Sequence, residues 1–301
     1  MSIIITGSSG FVGQNLLNYL KDFFIHKIDR QQLSNPTIQQ FNNSEAIIHL
    51  AGKAHDLKKT SNPEEYYQVN YELTKTLYDA FLKSEAKKFI FVSSVKASAD
   101  SVTDILTEDQ QPNPKTDYGK SKLMAEQYIQ AQELPEGKSY FILRPCMIHG
   151  PGNKGNLNLL YKFVQKGIPY PLAAFENKRS FLSVENLCFV IKQLIEKEIP
   201  SGIYNVADDE ALSTNKVVQI LAQSSNKKAK LWKVPSGLIK GMAKIGDLLR
   251  LSINSERLQK LTESYVVSNA KIKAALKESL PLSTTEGLQI TAKSFQIPSS
   301  L

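Results

Sequence analysis

The sequence predicts an α/β protein: a Rossmann-type, doubly wound parallel sheet followed by a smaller C-terminal α/β region. Three observations carry this expectation. Short β-type runs alternate with helical stretches through the first half, as in a parallel sheet covered on both faces. The first run leads straight into a glycine-spaced turn, and a helix follows. An acid, Asp29, ends the next run, 22 positions after Gly7.

The elements read in order. Ser2–Thr6 (SIIIT) is a buried strand, Phe11–Lys21 a helix and Phe24–Asp29 a second strand. Ala46–Leu50 (AIIHL), Phe89–Ser93 (FIFVS) and Tyr140–Leu143 (YFIL) are further strands, separated by helices near Glu64–Ser84 and Tyr118–Gln132. After Pro145 the texture changes. His149–Gly155 (HGPGNKG) is loop, Leu157–Lys166 a helix and Ser201–Val206 a strand. Ser213–Ser224 begins a helix, with Ser213 or Thr214 as its cap. Pro235–Leu249 is amphipathic; such a helix is expected to pack in a core or a domain interface, with membrane binding as the other reading. The expected division is a first domain over 1–150 and a smaller one over 151–301. The segment of about 180–200 is expected to pack back on the first.

Composition narrows the class. With 42% hydrophobic and 22% charged residues, the 301-residue chain is built like an ordinary globular protein. The net charge of +8 fits a lysine-rich solvated surface; the sharper reading is attraction for an anion such as a nucleotide diphosphate. No dense basic run is interleaved with aromatics, so nucleic acid is not an expected partner. Cys146 and Cys188 stand outside any CxxC or Cys/His cluster, so neither a metal site nor a disulfide framework is expected. That usage suits a reducing compartment. The first strand starts at Ser2, which leaves no room for a signal peptide. No apolar run approaches the roughly 20 residues of a membrane helix. The expected location is therefore the cytoplasm, with no integral membrane segment. The oligomeric state is open, a homodimer included.

The turn Gly7-Ser8-Ser9-Gly10-Phe11-Val12-Gly13 has the spacing that lets a backbone approach a pyrophosphate closely. The helix N-terminus behind it offers free N–H groups and a partial positive charge. Asp29 can accept hydrogen bonds from adenosine ribose hydroxyls and would repel a 2′-phosphate, which favours NAD(H). Arg30, next to it, would reverse that by pairing with the phosphate, so NADP(H) stays open. The plain alternative for Asp29 is a turn residue after a strand.

Tyr118 and Lys122 stand at i and i+4 in YGKSK, one turn apart on one helix face. A tyrosine that ordinarily titrates near pH 10 needs help to act as acid and base at neutral pH. A nearby ammonium and an oxidised nicotinamide would each favour its phenolate. Ser94 lies just after a strand, where ligands sit in a doubly wound sheet, and could bond both a substrate oxygen and the tyrosine. The alternatives are an exposed surface helix for the pair and a strand-end cap for the serine.

TGSSGFVG, HLAG at His49–Gly52, YYQVN at Tyr66–Asn70, FVSS, YGKSK and LRP at Leu143–Pro145 together resemble the extended short-chain dehydrogenases/reductases, the nucleotide-sugar epimerase/dehydratase family. The resemblance is ordered and covers most of the chain. It implies an NAD(P)-dependent enzyme with Ser94, Tyr118 and Lys122 catalytic. It implies a cofactor site of Gly7, Ser9, Gly10, Phe11, Val12, Gly13, Asp29, Arg30, Leu50, Ala51, Gly52, Asn70 and Pro145, with Tyr118 and Lys122 also in contact. A polar helix residue is the plain alternative for Asn70. PCMIHGPGNKGN at Pro145–Asn156 and NKRSFLSVENL at Asn177–Leu187 resemble the loops that hold a nucleotide diphosphate. The resemblance therefore puts Ser94, Lys96, Asn156 and Arg179 at the substrate, with Arg179 on the diphosphate, where a guanidinium binds phosphate oxygens as a fork. Its plain alternative is a surface arginine before a strand.

SSVK, GNKGN and NKRSFLSVENL lie nearer a subgroup from bacterial surface-polysaccharide pathways. It contains UDP-glucose 4-epimerases and reductases of UDP-4-keto-6-deoxy-N-acetylhexosamine. The chain departs from it at His149, where a tyrosine is common, and in ASAD after Lys96. His149 is read as a loop or packing histidine, with a substrate contact as the other reading. The family's dehydratases carry two acids directly after the catalytic hydroxyl; here those positions are Val95 and Lys96, so dehydration is not expected. The resemblance favours a UDP-sugar 4-ketoreductase, with a UDP-glucose or UDP-N-acetylglucosamine 4-epimerase as the alternative. A non-catalytic NAD(P)-binding protein is the alternative of another class.

Overall fold

In the computed structural model, which describes residues 1–34, 36–54, 62–153, 155–248 and 254–296, the first half forms a parallel sheet. The strands are β1 (Ser2–Thr6), β2 (Phe24–Ile28), β3 (Ala46–His49), β4 (Lys88–Val92), β5 (Ile105–Leu106), β6 (Ser139–Pro145), β7 (Met147–His149), β8 (Phe181–Ser183), β9 (Gly202–Val206) and β10 (Val266–Val267). Six of them pair in the order β2-β1-β3-β4-β6-β9, every pair parallel. The chain leaves β1 in one direction to β2 and returns on the other side as β3. That reversal opens a crevice beyond the carboxyl ends of β1 and β3, where ligands bind in such sheets.

Two cores hold the sheet. Side chains alternate across a strand, so Ile3 and Ile5 face one layer and Ile4 the other. The first layer contains Leu16 of the helix Phe11–Tyr19 and Val190, Ile191 and Leu194 of the helix Val184–Glu196. The second contains Leu77 and Phe81 of the helix Leu73–Lys83 and Ile129 of the helix Asp117–Ala131. Both Val184–Glu196 and β9 thus build on the first-half sheet although they follow residue 150.

Local chemistry explains the boundaries. Strand β2 stops at Ile28, one residue short of the expected end, because Asp29 turns to cap the next helix. Its Oδ1 accepts from Gln32 N at 2.9 Å, while Gln32 Oε1 accepts from Asp29 N at 3.0 Å. The expected long helix runs from Pro63 to Lys83, with Asn62 as cap and Pro63 in the first turn. It is interrupted by one π-turn over Gln68–Glu72, a widening that proteins often use at functional sites. Ser213 caps the helix Thr214–Gln223, accepting from Lys216 N at 3.1 Å.

Several short elements carried no readable period in the sequence. Strands β7 and β8 pair in parallel, and β10 pairs with β5. Helices Ser255–Thr262, Ala270–Leu276 and Thr284–Ser294 complete the second half. One expectation is corrected. The amphipathic helix, observed over Ser236–Leu248, buries fully only Ala243 and Gly246, leaves Ile239 half-buried, and exposes Leu238, Met242, Ile245 and Leu248.

Candidate active site

The glycine turn is shaped by close approach. Gly7 has φ +69°, and a Cβ there would stand 2.6 Å from Ala51 N. A Cβ on Gly13 would stand 2.4 Å from Gly7 O. Only glycine meets both demands without displacing backbone. Gly10 caps the helix Phe11–Tyr19, and no side chain or acid occupies the cap or first turn. The first N–H groups are therefore left for an anion. Phe11, Val12 and Gly13 form that first turn, with the Phe11 ring close to Gly150.

A cavity of about 580 Å³ opens over the turn. Gly7, Ser9, Gly10, Asp29, Arg30, Leu50, Ala51 and Gly52, all among the residues expected at the cofactor, line it. Lys27 and Gln32 line it as well and were not foreseen. The cavity, the cleared helix end and the bare glycines suit a dinucleotide with a pyrophosphate in the middle. Pro145 is buried at the end of β6.

Asn70 is placed differently from the expectation. It is fully buried. Its Oδ1 accepts from Lys53 N at 2.8 Å, and its Nδ2 donates to Lys53 O at 3.2 Å and to Ser121 Oγ at 3.1 Å. It ties the loop after β3 to the helix of Tyr118 instead of pointing into the cavity. A Cβ on Gly52 would stand 3.0 Å from Asn70 Oδ1 and 3.1 Å from Lys122 Nζ, so the glycine lets lysine and loop meet.

Ser94 follows β4 and caps the turn Val95–Ala97, its hydroxyl accepting from Lys96 N at 3.2 Å. Tyr118 and Ser94 are joined by a side-chain hydrogen bond. A Cβ on Gly119 would stand 2.4 Å from Lys96 O. The bare backbone beside Tyr118 thus lets its helix lie directly against the Ser94 turn. Burial raises the Tyr118 pKa, the Ser94 bond lowers it, and neighbouring Tyr66 raises it; the Tyr66 and Tyr118 rings meet edge to face with centroids 6.2 Å apart. The expected lysine effect on the phenol is not among these causes. Lys122 donates to Val92 O at 3.0 Å and lies over the Phe91 ring. Burial pulls its pKa down to about 8, against the opposing pull of Glu126.

Beyond the serine lies a cationic rim. Lys96 Nζ donates to Asp100 O at 2.7 Å and lies 4.4 Å from the Tyr265 ring centroid. Burial lowers its pKa, Asp100 and Glu263 raise it, and Arg179 and Lys260 lower it. Arg179 stands 3.6 Å from Glu263 and is partly exposed. Lys96 and Arg179 thus share one field. Asn156 opens the helix Asn156–Gln165 and is exposed. His149 is fully buried, with Nδ1 2.8 Å from Thr291 Oγ1 and Nε2 3.7 Å from Asp208 Oδ2. It packs, as the plainer reading held.

Sequence reasoning missed Lys27, Tyr66, Gly119, Glu126, Arg144 and Glu263. A glycine directly after the tyrosine was a readable sign of close approach, and Arg144 lay inside the LRP motif. Glu263 had no local signal.

The profile of the NAD dependent epimerase/dehydratase family matches residues 3–207. The chain is 30% identical to a UDP-glucose 4-epimerase of Vibrio cholerae, over 98% of this chain and 95% of that one. It is 29% identical to an N-acetyl-alpha-D-glucosaminyl-diphospho-ditrans,octacis-undecaprenol 4-epimerase of Escherichia coli O157:H7, over 90% and 84%. In fold it is similar to the UDP-N-acetylglucosamine 4-epimerase of Bacillus cereus, with a TM-score of 0.78 and 22% identity over 99% and 100% of the two chains. The matched residues span the whole sheet, from β1 to the end of β9, together with the glycine turn and Ser94, Tyr118 and Lys122, and on that ground the chain belongs to the NAD-dependent epimerase/dehydratase family.

Proposed function

We propose that the protein is a C4 epimerase of a sugar carried on a diphosphate, with Ser94, Tyr118 and Lys122 as its catalytic residues. The observation that carries this reading is the Tyr118–Ser94 hydrogen bond at the carboxyl end of β4, followed by Val95 and Lys96 where a dehydratase needs acids. The similarity to two 4-epimerases along nearly the whole chain moves the first choice to epimerase from the reductase favoured by motif resemblance.

The residues divide the work as follows. Tyr118 takes a proton from the sugar 4-hydroxyl and later returns it. Ser94 favours the phenolate by donating its one hydroxyl proton to it, and turns that donor to the sugar oxygen once Tyr118 is protonated. Lys122, held by Val92 O next to Gly52, bonds the nicotinamide ribose. The glycine turn and the end of helix Phe11–Tyr19 hold the pyrophosphate, and Asp29 the adenosine ribose. Bound NAD supplies the two-electron chemistry at C4. Arg179 and Lys96 neutralise the diphosphate of the sugar.

A second reading, a 4-ketoreductase of a UDP-4-keto-6-deoxy-N-acetylhexosamine, draws on Lys27 and Arg30. Both line the adenosine end of the cavity beside Asp29 and suit the extra phosphate of NADPH. Incubation with UDP-N-acetylglucosamine, UDP-glucose and the keto sugar, read by NMR, separates the two. Epimer formation without added reductant is the expected result. Conversion of the keto sugar alone, with stoichiometric loss of absorbance at 340 nm, would establish the reductase. No turnover of any of them removes both as reactions of a UDP-sugar.

A further inference from the structure

We propose that the helix Ser236–Leu248, with Trp232, seats the protein on the surface of an anionic phospholipid bilayer. Burial along this helix is inverted. The side it turns to the protein carries small residues, Ala243 and Gly246. Leu238, Met242, Ile245 and Leu248 are 59%, 56%, 58% and 83% exposed. Their spacing of four, three and three places them on one stripe. Trp232, 60% exposed, stands just before the helix. A continuous apolar stripe of this kind marks an interaction surface.

Charge selects the occupant. From Lys227 to Leu248 the chain has six lysines and one acid, Asp247, and that acid is engaged by Ser255. Lys240 and Lys244, both exposed, lie one turn apart along the border of the stripe. Leucine, methionine and isoleucine along one stripe, with lysines at its border, describe a helix that lies in a membrane interface, its cations among anionic headgroups. No helix among the described residues is long and apolar enough to cross a membrane, so the contact is with the surface.

One short helix links the stripe's helix to the site. The helix Ser255–Thr262 packs against Ser236–Leu248 and leads directly into Glu263, the partner of Arg179. A protein seated by this face would have its cationic rim connected to the seated helix through Ser255–Thr262. Resting on the diphosphate reading above, the substrate class that exploits this placement is a sugar diphosphate whose carrier is a lipid. Seating itself does not depend on that reading.

The test uses the full chain and vesicles of phosphatidylglycerol and phosphatidylethanolamine, with phosphatidylcholine vesicles as the neutral control. Trp232 is the only tryptophan, so its emission reports the contact without mutation. The expected results are a blue shift and co-flotation with anionic vesicles, both diminished by high salt and on neutral vesicles. The triple variant Leu238→Gln, Met242→Gln, Ile245→Gln should lose vesicle binding by on the order of tenfold or more. Lys240→Gln with Lys244→Gln should lose the preference for anionic lipid. Turnover of a soluble nucleotide sugar should be unchanged in both, so failure of the activity reading is seen separately. Unmoved Trp232 emission with no flotation of the wild type overturns the proposal. So does a triple variant that floats as well as the wild type, or one whose only effect is to split a dimer in sedimentation, which would make a second copy the occupant.

Discussion

Glu126 and Arg144 form a buried ion pair that joins the helix of Tyr118 and Lys122 to β6, the strand next to the edge of the sheet. The Glu126 carboxylate accepts from Arg144 Nε at 3.1 Å and from an Arg144 terminal nitrogen at 2.6 Å, with both side chains essentially without exposure. Ser93, the neighbour of Ser94, donates to the same carboxylate. Removing one partner strands the other charge in a place that water does not reach. Arg144→Met is therefore expected to cost ~3–5 kcal/mol of folding stability. Glu126→Met with Arg144→Met should recover part of it. Urea unfolding of the three proteins decides; a single variant as stable as the wild type would show that the pair is not what holds the helix.

Tyr118→Phe is expected to keep cofactor affinity and to lower turnover by a factor on the order of 10² or more, since only the exchangeable proton is lost. Ser94→Ala should act on the phenol in addition to the substrate. The bond from Ser94 lowers the Tyr118 pKa, so its removal leaves burial unopposed. The pH at which the phenolate form supports proton removal should move upward. A kcat profile that moves downward or stays in place refutes the coupling.

Asp29→Ala should weaken NAD more than NADP, and Arg30→Ala should weaken NADP more than NAD. Because Asp29 also caps the helix after it, its replacement should cost about 1 kcal/mol of stability as well. Fluorescence titrations with both cofactors give the comparison. A wild type that strongly prefers NADP would mean that Lys27 and Arg30 govern the choice.

Arg179→Ala should raise the Kd for UDP and leave NAD binding unchanged. Its carboxylate neighbour Glu263, 3.6 Å away, would then face the diphosphate uncompensated. Glu263→Gln should act in the opposite direction and tighten UDP binding. Calorimetry with UDP alone measures both, and equal affinities across the three proteins would place the diphosphate elsewhere.

His49 predicts a pH dependence of stability. It is fully buried between Thr6 Oγ1 at 2.7 Å and Thr74 Oγ1 at 2.9 Å. Burial, helped by nearby Lys122, pulls its pKa down to about 3. The unfolded chain takes up that proton near pH 6.5, the folded one only near 3. The stabilising contribution is complete above 6.5 and is lost as pH falls toward 3. Between pH 7 and 5 this should amount to about 2 kcal/mol. Urea midpoints at the two pH values for the wild type and His49→Gln test it: the variant should lose less over that interval, and equal losses would exclude His49 as the cause.

Much of the site was legible along the chain because its signals are local. The glycine spacing after Thr6, the acid that ends β2 and the one-turn separation of Tyr118 and Lys122 all follow from strand and helix periodicity. Ser94 was legible for the same reason, since a strand end fixes which hydroxyl reaches the crevice. What the sequence by itself determined is thus the doubly wound sheet and the residues at its carboxyl edge. Only the tertiary structure decided which neighbours those residues have. Asn70, inside the π-turn, bonds the loop at Lys53; Lys122 went to Val92 O; Glu126 found Arg144, and Arg179 found Glu263 across a long stretch of chain. The helix Ser236–Leu248 shows the same limit in reverse. Its amphipathic period was plain, but a period names two faces without naming which one the protein covers. Here small residues allow close packing on one side and leave the large apolar ones outside, because burial is settled by the shape of what packs against a helix as well as by its hydrophobicity.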